Sequence, residues 1–478
     1  MTRRITLNPR SHFLTAAVLA VLISFFFVPY FAAAEPEKNP KTDSDLSEEP
    51  LKFKGFLYLR GGQDIEEDAP SEQKNSFRNI VRLEGKWYPE KTSNKYLLAS
   101  VKSDYLWFGS EPEWDDYEFN LYEGFLYYRE GPLDLTFGRQ IIRWGKTDDI
   151  SPVDTLNAQD LREFIVPDYG DRKIPNWMVR LRLLFSAVNI EGVYIPLFEP
   201  AQFDYFGTDW AVFGHLKTDV LKSDLPAPLK EYIRNLSVND ERPTEKFENG
   251  EWGIRIYRPV AGWDVGVSYL YAWEDFPFFE SFPIKNIHTN GSISYEALKK
   301  ALAGAVFTDE SIEVRYKRVH QAGFEFETTL GVFGLRGEFA YYDLQSFLTA
   351  SLTSMRKPVY HYILGVDYSG ESDWYVNLQF SHQIIADYDP DILYFEEHNT
   401  SLLGKLEKGF WDGNFRVKLE YGVFLNQEGH YLSPAVIFKY IPNLDITLGG
   451  KIFGGKPDTF FGRYNANDEI FLSLKYQF

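Results

Sequence analysis

The sequence predicts an all-β protein, a transmembrane antiparallel β-barrel of about 18 strands with long, partly helical outer loops. Apolar and polar residues alternate along segments of about ten residues, and aromatic residues make up 17% of the chain. The connections between these segments alternate between short and long, as the two ends of an outer-membrane barrel require. A soluble antiparallel sandwich is the alternative, but its strands are about 5–6 residues long and its outward faces are polar.

Residues 1–34 are predicted to be a secretory signal peptide. Arg3 and Arg4 give a basic start, residues 13–28 are mostly apolar, and cleavage is expected near Ala34 in a run of small residues. A membrane anchor is the alternative, although the apolar stretch is shorter than the about 20 residues that a spanning helix needs.

Residues 35–50 are predicted to form a disordered acidic periplasmic leader, because they contain proline and show no periodicity. The barrel is expected to occupy residues 51–478. The formal net charge of −19 argues against nucleic acid as a partner, and the absence of cysteine excludes disulfides and thiolate metal sites. We therefore expect the mature chain in the outer membrane of a Gram-negative cell, in contact with its lipid.

The predicted strands each carry one apolar and one polar face. The clearest are, in chain order, residues 75–88, 95–107, 176–185, 263–273, 360–368, 374–380, 415–425 and 470–478. The apolar face, with side chains such as Val81, Leu181, Val267 and Leu419, is expected to contact lipid. The polar face carries Arg78, Arg82, Arg180, Arg182, Arg255, Arg336 and Arg416. These arginines are expected to line the lumen, as part of a ladder of ion pairs that stabilises the wall, as part of a charged solute pathway, or as both, since the two roles are compatible.

The lengths of the connections predict which end of the barrel faces the periplasm. Short connections, expected on the periplasmic side, include residues 90–94, 130–132, 187–189, 259–262, 331–334, 369–372 and 441–443. Long connections, expected outside the cell, include residues 61–74, 145–175, 197–250, 274–311 and 456–467.

The last predicted strand places Ile470, Leu472, Leu474, Tyr476 and Phe478 on one face. An aromatic residue that ends such a strand resembles the C-terminal signal of Gram-negative outer-membrane proteins. We therefore expect Tyr476 and Phe478 to be read by the barrel assembly machinery.

Two of the long connections are unusually rich in aromatic residues. Residues 197–250 and 274–311 also contain runs with helical spacing, at Leu229, Ile233 and Leu236 and near residues 295–302. Three interpretations stay open: the two connections pack on each other, fold into the lumen, or bind a ligand that is apolar or carries a ring.

The connection after the strand at residues 133–137 is the first candidate for a constriction. It starts beside Arg139, Arg143 and Trp144 and carries the acids Asp148, Asp149, Asp154, Asp160 and Glu163. We expect it to fold into the lumen, with its acids paired to wall arginines such as Arg180 and Arg182. A helix with Asp154 or Asn157 as its N-cap is predicted within it. A surface loop is the alternative, in which case residues 197–250 become the candidate constriction.

The motifs of this segment resemble a known family. They are Gly138-Arg139-Gln140, Trp144-Gly145, Pro152 with Asp154, and Leu156-Asn157 with Asp160. The pattern resembles a poorly characterised family of Gram-negative outer-membrane barrels that are similar to alginate-export channels, although this chain has Ala158 where the family often has proline. The resemblance implies a channel or export role.

The sequence as a whole predicts a passive channel for small solutes or for an exported compound. No catalytic motif is present, so no catalytic residue, cofactor or metal site is predicted. One alternative is a barrel that sheathes or docks a partner subunit, such as a periplasmic or inner-membrane exporter. A barrel enzyme is the other.

Overall fold

The computed structural model of the chain describes residues 50–65, 73–89, 93–109, 113–289, 293, 295–301, 305–308 and 310–478. The predicted signal peptide and the predicted leader up to residue 49 lie outside the described residues. Within the described ranges, none of the helices has the length and apolar character needed to cross a membrane.

The described elements are mostly strands. In chain order they are β1 (Leu51–Asp64), β2 (Asn75–Trp87), β3 (Lys95–Gly109), β4 (Trp114–Glu130), β5 (Leu133–Gln140), β6 (Asn176–Leu184), β7 (Asn189–Ile195), β8 (Val238–Glu241), β9 (Glu251–Val260), β10 (Trp263–Trp273), β11 (Phe278–Ser281), β12 (Ile284–Lys285), β13 (Val306–Phe307), β14 (Ile312–Arg315), β15 (Arg318–Leu330), β16 (Phe333–Leu348), β17 (Ser354–Ser369), β18 (Trp374–Ile385), β19 (His398–Phe410), β20 (Phe415–Phe424), β21 (His430–Ile441), β22 (Leu444–Gly454) and β23 (Glu469–Gln477). The helices are α1 (Leu216–Lys222), α2 (Ala227–Asn235) and α3 (Tyr295–Ala301), with 3-10 turns at Phe247–Asn249, Glu371–Asp373 and Gly462–Tyr464.

A closed antiparallel barrel of 18 strands is formed by all of these strands except β8 and β11–β14. Each barrel strand pairs with the next one along the chain, and β1 pairs with β23, with Arg60 opposite Ser473. Beyond β23, the Gly55 amide donates to the Phe478 carbonyl at 2.7 Å and the Phe478 amide donates to the Gly55 carbonyl at 3.0 Å. The prediction of an antiparallel barrel of about 18 strands is confirmed.

The two faces of the barrel differ as the alternation predicts. Leu181 and Val267 are 40% and 51% exposed on the outer face, whereas the neighbouring Arg180 and Arg182 form ion pairs on the inner face. Isolated exposed apolar residues are normal in any protein, but a continuous apolar band around a closed sheet is typical of contact with lipid.

The connections at the two ends of the barrel differ in length. The turns 131–132, 261–262, 331–332 and 442–443 lie at the end where the chain enters β1. The connections 141–175, 196–250 and 274–317 lie at the opposite end. In the turn 261–262, Ala261 and Gly262 both have positive φ, at 51° and 86°, as a two-residue hairpin turn that follows the strand twist requires.

The connections 196–250 and 274–317 pack on each other, which was one of the three interpretations left open. β8 from the first connection pairs in parallel with β14 from the second, and β14 pairs with β11. The shared core comprises Phe213, Leu216, Val220, Ile233, Leu236, Phe279, Phe282, Ile284, Ile287, Ile312, Val314 and Leu352. We call the parts of the two connections that surround this core the outer cap. The predicted helices near residues 229–236 and 295–302 are confirmed as α2 and α3.

Candidate functional site

The connection between β5 and β6, which we call loop 141–175, is fixed at its base by an apolar cluster. Trp144 is buried in it with Ile142, Val153 and Leu156 of the same loop, against Met178 of β6. The Trp144 indole Nε1 donates to the Glu191 carboxylate of β7 at 2.9 Å. The start of the loop is therefore fixed to the barrel wall by both packing and a hydrogen bond to a charged group.

The helix predicted after Asp154 is absent, and this prediction is wrong: all of residues 141–175 are described, and they form turns and isolated bridges. The two expected N-cap residues bind backbone groups at both ends of the loop instead. Asp154 Oδ1 accepts from the Trp144 amide at 3.2 Å. Asn157 accepts from the Ile142 amide at 2.9 Å and donates to the Ile174 carbonyl at 2.9 Å. Short polar side chains of this kind compete with the helix for backbone groups.

Loop 141–175 contacts one side of the barrel wall through carboxylates of β15 and β16. Glu338 accepts hydrogen bonds from the Thr147 amide and from Ser151 Oγ, both at 2.7 Å. Glu325 accepts from the Gly145 amide at 2.8 Å. Lys146 forms an ion pair with Glu327 at 2.9 Å. Carboxylates of the wall thus accept hydrogen bonds from backbone amides of the loop. Such hydrogen bonds are strong because one partner is charged.

A second set of contacts joins the loop to β2 and β3. Arg78 of β2 bonds Asp104 of β3 at 2.7 Å and Asp160 of the loop at 2.9 Å. Arg162 of the loop bonds Asp160 at 2.8 Å and Asp104 at 3.3 Å. Burial alone would raise the pKa of the Asp160 carboxyl, but Arg162 and Arg78 outweigh burial and hold that pKa well below its ordinary value.

Glu163 extends this buried network to β1. Its carboxylate bonds Arg60 of β1 at 2.8 Å and also pairs with Arg78. The strands β1–β3 are separated from β15 and β16 by several strands in either direction around the barrel. Because the loop bonds both groups of strands, its contacts reach across the interior of the barrel.

Most of the predicted lumenal arginines pair with acids of the wall itself. Arg82 pairs with Glu84 and Glu123, Arg180 with Glu191, Arg182 with Asp134, Arg255 with Glu325, and Arg416 with Glu407. The expected pairing of loop acids with Arg180 and Arg182 is therefore wrong. Arg182 lies directly opposite Asp134 in the strand register, so a closer partner already occupies it. Of the predicted wall arginines, Arg78 and Arg336 pair with the loop, Arg336 through Asp148 at 3.1 Å.

Two predicted pathway residues lie elsewhere. Arg139 is opposite the exposed Trp177 in the strand register and lies on the outer face of β5, where it donates to the Tyr122 carbonyl at 3.2 Å. Its place in the lumen was a wrong prediction, because the strand alternation puts Gln140 inward and Arg139 outward. Arg143 bonds within the loop, donating to the Asp148 carbonyl at 3.3 Å.

A cavity of about 840 Å³ lies between loop 141–175, the outer cap and the barrel wall, and its wall lining comes from β18–β22 and also from β10 and β15–β17. Its polar lining includes Asp148, Asp149, Asp154, Tyr169 and Arg172 of the loop, with Asn377, Lys405, Glu420, Tyr431 and Lys451 of the wall. Its aromatic lining towards the outer cap includes Phe164, Phe203, Trp210, Phe276, Phe395, Phe460, Phe461 and Tyr464. Charged side chains thus line the cavity beside β18–β22, and aromatic side chains line it towards the outer cap, where Glu274, Asp275 and Arg463 add further charges.

Asp149 contributes a titratable charge to the cavity. Burial between the cavity walls, followed by the neighbouring carboxylates of Glu420 and Asp148, raises the pKa of the Asp149 carboxyl to about 6. Asp149 is nevertheless an exposed residue of the cavity lining. Its charge therefore changes in the mildly acidic range rather than near pH 4, where an ordinary aspartate titrates.

Several residues of the site were not among the predicted ones. Lys405 and Lys451 occupy inward positions of β19 and β22, so the alternation that identified the arginines could have identified them too. Arg162 and Arg172 lie in a loop, where no alternation indicates the direction of a side chain, whereas Glu163 of the same loop was among the acids expected to pair with wall arginines and does so with Arg60 and Arg78.

A family model described as "Protein of unknown function (DUF1302)" matches residues 114–439 of the chain. No curated protein matches it. Among solved structures, OccAB4 of Acinetobacter baumannii is 11% identical, with a TM-score of 0.47, and the alignment covers 91% of this chain and 100% of that one. OmpF of Salmonella typhi, solved in complex with daunomycin, is 8% identical, with a TM-score of 0.41 and coverage of 90% and 97%. A mutant Rh. blastica porin is 9% identical, with a TM-score of 0.37 and coverage of 90% and 100%.

Proposed function

We propose that this chain, which belongs to the DUF1302 family of proteins of unknown function, is an outer-membrane channel for small solutes. The observation that carries the proposal is the cavity of about 840 Å³ between loop 141–175 and the wall of a closed barrel. A closed sheet with an apolar outer band and a charged interior suits a lipid bilayer with a polar path through it.

Loop 141–175 is the constriction of this channel. Its contacts with Arg78 on one side and with Glu338 on the other support this assignment, because a loop held at both sides narrows the space left for solutes inside the barrel. Asp148, Asp149, Lys405 and the other charges around that space would select solutes as they pass.

Passive conduction requires no catalytic group, and we assign none. The ion pairs of the wall, such as Arg182 with Asp134 at 2.7 Å, join adjacent strands and stabilise the barrel. A barrel enzyme would need a nucleophile and a base in hydrogen-bond reach of each other on an accessible patch.

Single-channel recording in planar bilayers tests the channel directly. We expect stepwise conductance in potassium chloride with the full chain, and entry of uncharged solutes into liposomes that stops above a defined size. A folded, inserted protein that conducts nothing would reject the proposal.

Fractionation tests the proposed location. We expect the mature protein in the outer membrane, with an N-terminus produced by cleavage near Ala34, as mass spectrometry of the purified chain would show. Recovery of the folded protein from the periplasmic fraction would contradict a lipid-exposed barrel.

An export component is the second candidate function, and the motif that includes Trp144 and Asn157 favours it through its resemblance to alginate-export channels. In that case the barrel would pass a compound delivered by a periplasmic or inner-membrane exporter. Co-purification of an exporter subunit after crosslinking, set against a control barrel of the same cell, separates this candidate from a free-standing channel.

A further inference from the structure

Two buried cations line the cavity without an acidic partner. Arg172 of loop 141–175 is 7% exposed and Lys451 of β22 is 5% exposed. Among the described residues, no carboxylate lies within ion-pair distance of either one, and the buried Arg172 Nε has no hydrogen-bond partner. Lys451 Nζ donates to the Tyr431 hydroxyl at 2.7 Å, and Arg172 lies close enough to Tyr431 to interact with it electrostatically.

The acids near these cations are mostly engaged by other groups. Lys418 bonds Glu420 at 3.0 Å and lies 4.0 Å from Asp168. Lys405 is paired with Glu407 at 3.7 Å. Asp149 is the acid of this side that forms no ion pair with a described residue. A buried cation without an acidic partner is unfavourable, and a bound anion would supply the missing charge.

Aromatic rings continue from this charged side of the cavity. Tyr431 and Phe461 have ring centroids 6.1 Å apart. Phe164 and Tyr464 are 4.3 Å apart, and Trp210 lies 5.5 Å from Tyr464. These rings line the same cavity as the two cations, so an anionic group and an apolar body could be bound at the same time.

We propose that the cavity binds amphipathic monocarboxylates, with the carboxylate beside Tyr431 on Arg172 and Lys451 and the apolar or aromatic body against Phe461, Tyr464 and Trp210. The proposal rests on the proposed channel function, of which it names the substrate class. A volume of about 840 Å³ falls in the range of about 300–1,000 Å³ that is usual for small-molecule sites. Arg463, stacked on Tyr394 at 4.4 Å and bonded to the Val212 carbonyl at 2.9 Å, adds a further cation at the aromatic side.

The test compares 4-phenylbutyrate with 4-phenylbutanol, which has the same ring and chain but no charge, and with acetate, which has the charge but no ring. Block of single-channel current and calorimetric titration of the detergent-solubilised full chain measure binding of each probe. We expect phenylbutyrate to bind at least about tenfold more tightly than either of the others. A hydrogen bond to a charged group, which phenylbutanol cannot make in the same way, typically contributes that much, and acetate lacks the apolar area that the ring and chain bury.

Variants assign the effect to the two cations. Arg172→Gln and Lys451→Gln should each weaken phenylbutyrate binding by about tenfold and leave phenylbutanol unchanged, and Arg172→Lys should restore part of the loss. Asp149→Asn should tighten phenylbutyrate binding, because it removes the competing negative charge. Arg234→Gln, on the exposed face of α2, is the matched control and should change nothing. Heat-modifiable migration on gels shows that each variant is folded.

Each outcome bears on one proposal. Equal binding of phenylbutyrate and phenylbutanol, or of phenylbutyrate and acetate, by a conducting channel overturns the substrate class and leaves the channel function in place. Phenylbutyrate binding that is unchanged in both glutamine variants also overturns it. A chain that conducts no ions but binds phenylbutyrate through Arg172 and Lys451 rejects the channel and retains the site.

Discussion

Trp144 and Glu191 are joined by a hydrogen bond of 2.9 Å between the indole Nε1 and a carboxylate oxygen. Glu191 is fully buried and also accepts from Arg180 Nε at 2.9 Å. One carboxylate of β7 therefore links the start of loop 141–175 to the ion pairs of the barrel wall. The stability of the loop and that of the wall should depend on each other at this point.

Trp144→Phe should lower the free energy of unfolding by about 1.5–3 kcal/mol, because it removes a hydrogen bond to a buried charged group. Urea titration of the protein in lipid vesicles measures the change. Trp252→Phe is the matched control, since Trp252 is exposed on the outer face, and should cost much less. Equal losses in the two variants would show that the Glu191 contact contributes nothing.

Replacing residues 146–173 by a tight turn should raise the single-channel conductance and relax the size limit for uncharged solutes. The physical reason is that the loop fills the interior between Arg78 and Glu338. Heat-modifiable migration checks that the shortened barrel is folded. If it folds and conducts like the parent, the constriction must be sought in residues 196–250.

Asp160→Asn should loosen the loop without opening the barrel. It removes the charge that Arg78 and Arg162 share at 2.9 and 2.8 Å, and breaking a buried ion pair typically costs about 3–5 kcal/mol. We expect noisier single-channel current and faster proteolysis within 141–175. Asp445→Asn, which removes a more exposed pair with Lys439, is the control and should leave both readouts at the parental level.

Leu448→Arg should destabilise the inserted barrel by about 2–4 kcal/mol, the cost of an arginine on a lipid-facing position near the midplane. The neighbouring Thr447 lies opposite the buried Ser473 on the inner face, so Thr447→Arg should be tolerated better. Unfolding in lipid vesicles compares the two variants. A larger loss for Thr447→Arg would mean that the assignment of inner and outer faces is inverted.

Ion selectivity should change with pH through Asp149. With a pKa of about 6, its carboxyl is charged at pH 7.5 and mostly neutral at pH 5. Acidification therefore removes a negative charge from the cavity, and chloride should permeate more readily relative to potassium. Reversal potentials in a salt gradient measure the shift. The shift should vanish in Asp149→Asn, and its persistence there would assign the titration to another group.

The strands could be predicted from the sequence because a strand has a fixed side-chain period. Arg180 and Leu181 point to opposite faces for that reason alone, and the short turns then fix the order of the strands. The period does not show, however, that Ile312–Arg315 belongs to the outer cap and Arg318–Leu330 to the barrel.

The partners inside the lumen could not be predicted in the same way. Arg182 and Arg78 look alike in the sequence, yet Arg182 faces Asp134 across one strand pair whereas Arg78 reaches Asp160, far away along the chain. Which acid pairs with Arg78 depends on the path of loop 141–175, and this loop has no periodicity from which its path could be predicted. The helix expected after Asp154 failed for the same reason, since the loop's polar side chains bind its own two ends.

The outer cap implies an order in which the molecule can fold. β8 and β14 flank the hairpin of β9 and β10, and they can pair in parallel only after that hairpin and β15 have brought the two connections together. Contacts that join distant parts of a chain form late, because the intervening chain must first be ordered. The outer cap therefore finishes folding after β9, β10 and β15. A barrel in which these three strands paired out of register would leave the apolar core of the outer cap exposed to water.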